Sequence, residues 1–288
     1  MNHRIIARLD IKGPNLVKGI HLEGLRVLGS PEEFAEHYYK NGADELFYQD
    51  VAASLYERNS LDDIITRTAK MAFIPLTVGG GLRSIDDINR VLRAGADKVA
   101  INTAAINNHK FIEEAVKVFG SSTIVVAIEV IKHGDKYLAY TDNGREYTGV
   151  DAIEWAKKVE ELGAGEICLT SVDMEGTGLG FDYNLMRNVS TSVSVPVIAH
   201  GGASSKEDIK KVINDCKADA VALASVLHYD YVKKNTKPLL TKTEGNFEFL
   251  RKNSVFKKIN PVSLNEIKQY LNEKGVRCRY IVGNTNEY

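Results

Sequence analysis

Two carboxylates, Asp10 and Glu129, stand near the ends of short runs of apolar and β-branched residues, RIIARLD and IVVAIE. Facing each other across one mouth, such a pair can do general acid and general base work on a ligand held between them. A structural salt bridge is the plain alternative. Lys18, in the loop that follows, could offer the ligand a donor, balance Asp10, or simply be solvated. Glycines in Gly79-Gly80-Gly81 and Gly201-Gly202 follow apolar runs and precede helix patterns, so backbone N–H groups there can approach a phosphate with no side chain in the way. Asn102-Thr103, Gly176-Thr177 and Ala224-Ser225 add hydroxyl, amide or backbone donors at matching places. Any one of these loops could be only a tight turn; their paired repetition favours phosphate.

Arg4, Glu45, Lys98 and Glu166 each open an apolar run. Counting by two along the first run puts Arg4, Ile6, Arg8 and Asp10 on one face, so Arg4 should point into the far end of whatever Asp10 points out of. A neutral ring of four charges follows, which at the base of a fold is ordinarily a stabilising ion-pair network.

The elements that must position these groups alternate. Strand patterns fall at 4–12, 45–51, 74–78, 98–101, 124–130, 166–170, 195–200 and 220–223, with helix patterns at 31–41, 61–71, 85–94, 109–119, 150–162, 183–189 and 206–214. Ser30, Ser84 and Ser205 are candidate N-caps, and Gly42, Gly95, Gly120 and Gly163 mark helix ends. Eight βα periods in 288 residues predict a single-domain (β/α)8 barrel. The halves also repeat: Gly42-Ala43-Asp44-Glu45 answers Gly163-Ala164-Gly165-Glu166, and Ala96-Asp97 answers Ala218-Asp219. Such a repeat predicts equivalent anion sites on opposite sides of one mouth, suited to a ligand with a phosphate at each end.

Lys+Arg 37 against Asp+Glu 38 leaves a formal charge of −1, so no general field gathers nucleic acid or an anionic membrane. Cys168, Cys216 and Cys278 are too dispersed for a disulfide framework or a zinc site and read as reduced, buried thiols; no metal or cofactor is expected. The opening MNHRIIARLDIK lacks the apolar core of a signal peptide, and no apolar run reaches the length of a membrane span, which makes the cytoplasm the expected address.

In order, RIIARLDIK, LVKGI, VGGGLRS, GADKVAINTAA, VVAIE, LGAGEICLTSVDMEGTGLGFD and HGGA resemble the HisF family, the cyclase subunit of imidazole glycerol phosphate synthase in histidine biosynthesis. The resemblance runs from about residue 4 to 229, with a last helix near 263–274. It implies a lyase barrel that takes ammonia through its base from a HisH-like glutaminase, as a heterodimer. At the mouth, that ammonia would convert a bisphosphorylated formimino-aminoimidazole ribonucleotide to imidazole glycerol phosphate and aminoimidazole carboxamide ribotide. By the same resemblance Asp10 is the strand-one catalytic aspartate and Lys18 the loop-one lysine. Gly81, Asn102, Thr103, Gly176, Thr177, Gly202 and Ser225 hold the phosphates; Arg4, Glu45, Lys98 and Glu166 form the ammonia gate; Asp97 lies at the glutaminase interface.

The chain also departs from that pattern. Glu129 replaces the second catalytic aspartate, Glu175 an aspartate before Gly-Thr, Arg8 a small residue or Cys, His200 a Ser, and Gln49 an apolar residue. An arginine within about 4–6 Å of Asp10 would depress its pKa. A segment at about 230–262, rich in Lys and Arg with Phe247, Phe249 and Phe256 interleaved, is added after the eighth strand, where it could cover the mouth. Solvated insertion is the favoured reading of it over nucleic-acid binding. The signature LDIKGPNLVKGIHLEGLR is similar to a WbuZ-type branch, which implies an alternative: a non-catalytic ammonia conduit in surface-glycan sugar amidation.

Overall fold

The computed structural model describes residues 2–53, 61–235 and 258–279. Its strands are β1 (Arg4–Lys12), β2 (Asn15–Ile20), β3 (Glu23–Gly29), β4 (Glu45–Asp50), β5 (Leu76–Gly79), β6 (Lys98–Ile101), β7 (Ile124–His133), β8 (Lys136–Thr141), β9 (Glu146–Asp151), β10 (Glu166–Ser171), β11 (Val197–His200) and β12 (Ala220–Leu223). Helices are α1 (Pro31–Lys40), α2 (Asp62–Ala69), α3 (Ile85–Ala94), α4 (Thr103–Asn107), α5 (Lys110–Phe119), α6 (Ala152–Glu161), α7 (Tyr183–Ser190), α8 (Lys206–Cys216), α9 (Ser225–Lys234) and α10 (Leu264–Glu273). Strands β10, β11, β12, β1, β4, β5, β6 and β7 pair in parallel in that order, and β7 pairs back with β10, closing the (β/α)8 barrel.

Strand alternation sorts the apolar residues into two cores. Along β1, Ile5, Ala7, Leu9 and Ile11 face the helices, while Ile6 joins Phe47, Val125, Cys168 and Ile198 inside the barrel. Burying a large outer-layer side chain such as Phe34 or Leu9 contributes on the order of 2 kcal/mol. The half-chain repeat has a physical counterpart at the strand starts: Asp44, Asp97 and Asp219 each accept the N–H of a residue on a neighbouring strand or its approach, Ile5, Leu76 and Val197, at 2.8, 2.8 and 2.9 Å. Gly165 occupies the fourth equivalent place, where a Cβ would run into the Ser121 carbonyl.

Ser84 and Ser205 cap α3 and α8 in full capping boxes with Asp87 and Asp208. Ser30 does not cap α1; its hydroxyl donates to Glu32 at 2.6 Å instead. Two hairpins were not anticipated. The expected first loop is the β2–β3 ribbon, and β7 runs on to His133 before turning into β8 and β9. Asp142, Asn143 and Gly144, all at positive φ, make the β8–β9 turn, a local signal of the Asn-Gly kind that favours hairpins. The five-residue α4 and the ten-residue α9 were likewise missed, each lying directly behind a strand without a loop between.

At the base, α10 is fastened by the buried Lys268, whose ammonium lies 2.7 Å from Asp44. Most of the 230–262 segment, including Phe247, Phe249 and Phe256, lies outside the described residues. Its return is anchored by Asn260, which donates to the Ser204 carbonyl at 2.9 Å, and by Ile259, buried beside Gly178. Cys168, Cys216 and Cys278 are free and buried. Among the described residues no helix is long and apolar enough to cross a membrane.

Candidate functional site

At the base the four strand-opening charges close into a ring. Arg4 pairs with Glu45 at 2.8 Å and with Glu166, and Lys98 sits 3.1 Å from each of the same two carboxylates. Thr77 donates a further bond to Glu45 at 2.5 Å. Each buried carboxylate therefore faces two cations, the condition under which buried charge is tolerated. The apolar side chains of the inner core, among them Ile6, Phe47, Val125 and Ile198, fill the barrel interior.

At the mouth, Asp10 and Glu129 occupy different surroundings. Asp10 is 2% exposed and accepts from Arg8 Nε at 3.0 Å; Lys18 Nζ lies 3.8 Å from its other oxygen. Lys18 is not solvated: it is buried and paired with Glu175. Glu175 also accepts the N–H of Leu22 at 3.0 Å, which clamps the β2–β3 ribbon over the loop after β10. Arg8 Nη1 continues to His200 Nδ1 at 3.3 Å and Thr170 Oγ1 at 3.5 Å. Glu129 instead accepts from the Asn102 amide at 3.1 Å and lines a cavity of about 390 Å³.

That cavity gathers Gly80, Gly81, Asn102 and Thr103 with Gln49 and Glu129. Thr103 Oγ1 accepts the N–H of Asp142 at 3.1 Å, tying it to the β8–β9 turn, and Asn102 Oδ1 is buried without a partner among the described residues. The corresponding place in the other half brings together Gly176, Gly201, Gly202, Ala224 and Ser225 with Glu175 and His200, around only about 20 Å³, room for roughly one water. The two glycine-lined places therefore differ in the room they leave, whereas the repeat predicts equivalent ones. Gly176 is at φ +72°, where a Cβ would come within 2.5 Å of the Gly19 carbonyl, so packing of the ribbon is reason enough for glycine there. Thr177 donates its hydroxyl to the Met174 carbonyl at 2.7 Å and accepts the Leu179 N–H at 3.2 Å within its own turn.

Burial acts on both carboxyls, with opposite results. For Asp10 the upward push of burial is outweighed by Arg8 and Lys18, which hold it below its usual range. For Glu129 burial prevails over the more distant Arg8, and Asp10 and Asp142 add to it, so its pKa is pushed up to about 7. Burial, Arg8 and Lys18 together keep His200 neutral, well below the ordinary histidine range.

Asp50, Arg83, Asn107, Asn108, Asp142 and Asn143 also line the open cavity and were not singled out from sequence. Asp50 ends β4 much as Asp10 stands near the end of β1, a parallel that could have found it; it accepts the N–H groups of Ala52 and Ala53 at 2.9 Å, and burial raises its pKa. Asp142 and Asn143 needed the hairpin to be recognised first. Asp97 is exposed at the base, where its carboxylate serves the Leu76 N–H.

A parallel barrel with a charged ring at the strand starts and an acidic, glycine-looped cavity at the strand ends has the layout of a barrel enzyme whose ligands meet the C-terminal face. The chain belongs to the histidine biosynthesis protein family, which matches residues 4–233. It is 56% identical over 208 residues, 72% of this chain and 98% of the relative, to the imidazole glycerol phosphate synthase subunit HisF of Legionella pneumophila. The subunits of the same name from Methanocaldococcus jannaschii and Methanopyrus kandleri are 48% and 41% identical, over 80% and 96% of this chain and 92% and 97% of their own lengths.

Proposed function

We propose that this chain, acting as one barrel domain, is the cyclase subunit of an imidazole glycerol phosphate synthase. It uses ammonia to convert a bisphosphorylated formimino-aminoimidazole ribonucleotide to imidazole glycerol phosphate and aminoimidazole carboxamide ribotide, in histidine biosynthesis. The observation that carries the reading is the pairing of two acidic groups at the mouth with a closed ring of four charges at the opposite end, in a chain whose relatives bear that subunit's name. A HisH-like glutaminase docks at the base in a cytoplasmic heterodimer and releases ammonia there. Arg4, Glu45, Lys98 and Glu166 gate it, and the apolar interior admits the neutral molecule more readily than ammonium.

Gly80, Gly81, Asn102 and Thr103 hold one phosphate in the open cavity. Gly176, Thr177, Gly201, Gly202, Ala224 and Ser225 hold the other, which requires the β2–β3 ribbon to give way, since about 20 Å³ does not admit a phosphate. Lys18 travels with that ribbon. Asp10 and Glu129 serve as the acidic pair. The glycan-amidation conduit lacks the support that the relatives' name lends the cyclase. Purified protein given ammonium salt and the bisphosphorylated precursor should consume it, followed by absorbance; well-folded protein that binds the precursor without turnover would overturn the reading.

A further inference from the structure

The largest fully buried side chain among the described residues is a charged one, Arg8. Its position on the inward face of β1 lies between Ile6 of the apolar interior and Asp10, so the guanidinium sits on the way from the base ring to the mouth. It runs from β1 past β12 to Thr170 on β10 and His200 on β11, and lies over the Phe47 ring of β4 at 5.4 Å. A guanidinium stays protonated at any working pH. His200 Nδ1 must then accept at 3.3 Å, which leaves the imidazole neutral with its proton on Nε2. Thr170 bonds the same nitrogen at 3.1 Å, so ring and guanidinium are both fixed.

We propose that Arg8 is a positioning residue that withdraws Asp10 from proton transfer, holding it as a fixed anion that accepts an N–H of incoming ammonia, and leaves proton transfer at the mouth to Glu129. The inference rests on the cyclase reading and divides the labour within its acidic pair. Geometry supports the division. Asp10 is closed in by Arg8 at 3.0 Å and Lys18 at 3.8 Å, whereas Glu129 borders the open cavity with a neutral amide as its side-chain partner. The charged and titratable groups around the pair are few. Asp10 faces Arg8, Lys18 and His228, with Glu129 across the mouth; Glu129 faces Arg8, Asp10 and Asp142 and receives the Gly144 N–H. Lys18 is itself shared with Glu175. Burial pushes the Cys168 thiol beside Arg8 up to about 11 and takes His228 down to about 3, so neither exchanges protons near neutrality. Glu129 is the group poised to do so.

The test uses the full chain with ammonium salt, the concentration of un-ionised ammonia held constant across the pH range. Wild type should show one ionisation near pH 7 in kcat. Arg8→Met should bring in a second, as Asp10 begins to titrate on the acid side, while Arg8→Lys keeps the wild-type profile. A profile unchanged in Arg8→Met would overturn the proposal and leave Arg8 a structural residue. Carbon-13 titration of the Asp and Glu side-chain carboxyls gives a second readout independent of turnover. In wild type the Asp10 signal should stay flat from pH 9 down to about 4, where an ordinary aspartate is already half protonated, while Glu129 moves near 7; an Asp10 signal that titrates in that window overturns the proposal even if Arg8→Met fails to fold. Absence of all turnover would strike the cyclase reading, and the carboxyl titration would still decide the assignment of Arg8.

Discussion

The two halves of the barrel mouth share a backbone plan and differ in what fills it. Ser84 and Ser205 form the same capping box, Asp97 and Asp219 the same clamp, and glycine-rich loops follow β5 and β11 in register with the repeat. Yet the first half holds a cavity of about 390 Å³ and the second about 20 Å³. Glu175 and His200 line the smaller place, Arg8 bonds His200, Lys18 pairs with Glu175, and Glu175 ties the β2–β3 ribbon down beside it. A duplicated backbone thus sets where the two glycine-lined places lie, and the side chains packed around each decide how much room it keeps.

Loss of the open half's acid should have the largest effect. Glu129→Gln is expected to lower ammonium-dependent kcat by about 10³-fold, within the usual range for a group that moves protons. Asp10→Asn, which keeps an acceptor oxygen, should cost only about 10–100-fold, a smaller effect than proton transfer confers. Equal losses in the two variants would erase the distinction between the halves. Stability should show the reverse order. Glu175→Gln leaves Lys18 buried with its nearest remaining anion, Asp10, at 3.8 Å, and should cost about 3–5 kcal/mol in urea unfolding. Asn102→Ala in the open half removes a single neutral donor and should cost about 1 kcal/mol.

The halves should also answer pH in opposite directions. Glu129 holds its proton more tightly folded, at about 7, than unfolded, near 4.5. Its contribution is full below 4.5 and is lost as pH rises through 7, about 3 kcal/mol in all, and Glu129→Gln should remove that dependence from a series of unfolding curves. Asp10, depressed below 3.8, stabilises at neutral pH and loses that contribution on acidification, so the deficit of Asp10→Asn should shrink below pH 4. The smallest effect is expected at the base. Lys98→Ala leaves Arg4 to pair both Glu45 and Glu166, and should lower glutamine-driven turnover several-fold while ammonium-driven turnover holds. A parallel fall in both assays would make the ring purely structural.

The barrel was legible because its determinants are local and repeated: eight apolar runs, amphipathic stretches between them, and a recurring Ala-Asp pair whose carboxylate meets a neighbouring backbone N–H. Period-two counting along β1 placed Arg4, Ile6, Arg8 and Asp10 on one face, and the ring and the Arg8–Asp10 pair follow from that spacing. The β8–β9 hairpin escaped because its Asp142-Asn143-Gly144 turn stood where a loop was already expected, and with it went Asp142 and Asn143 of the cavity. No local pattern could have shown that Lys18 would turn inward to Glu175, 157 residues away, or that Arg8 would reach Thr170 and His200 across the barrel. Spacing dictates which face a side chain leaves by; how far it reaches, what it meets there, and so which carboxyl stays ionised and which half stays open, depend on strands brought together only when the barrel closes.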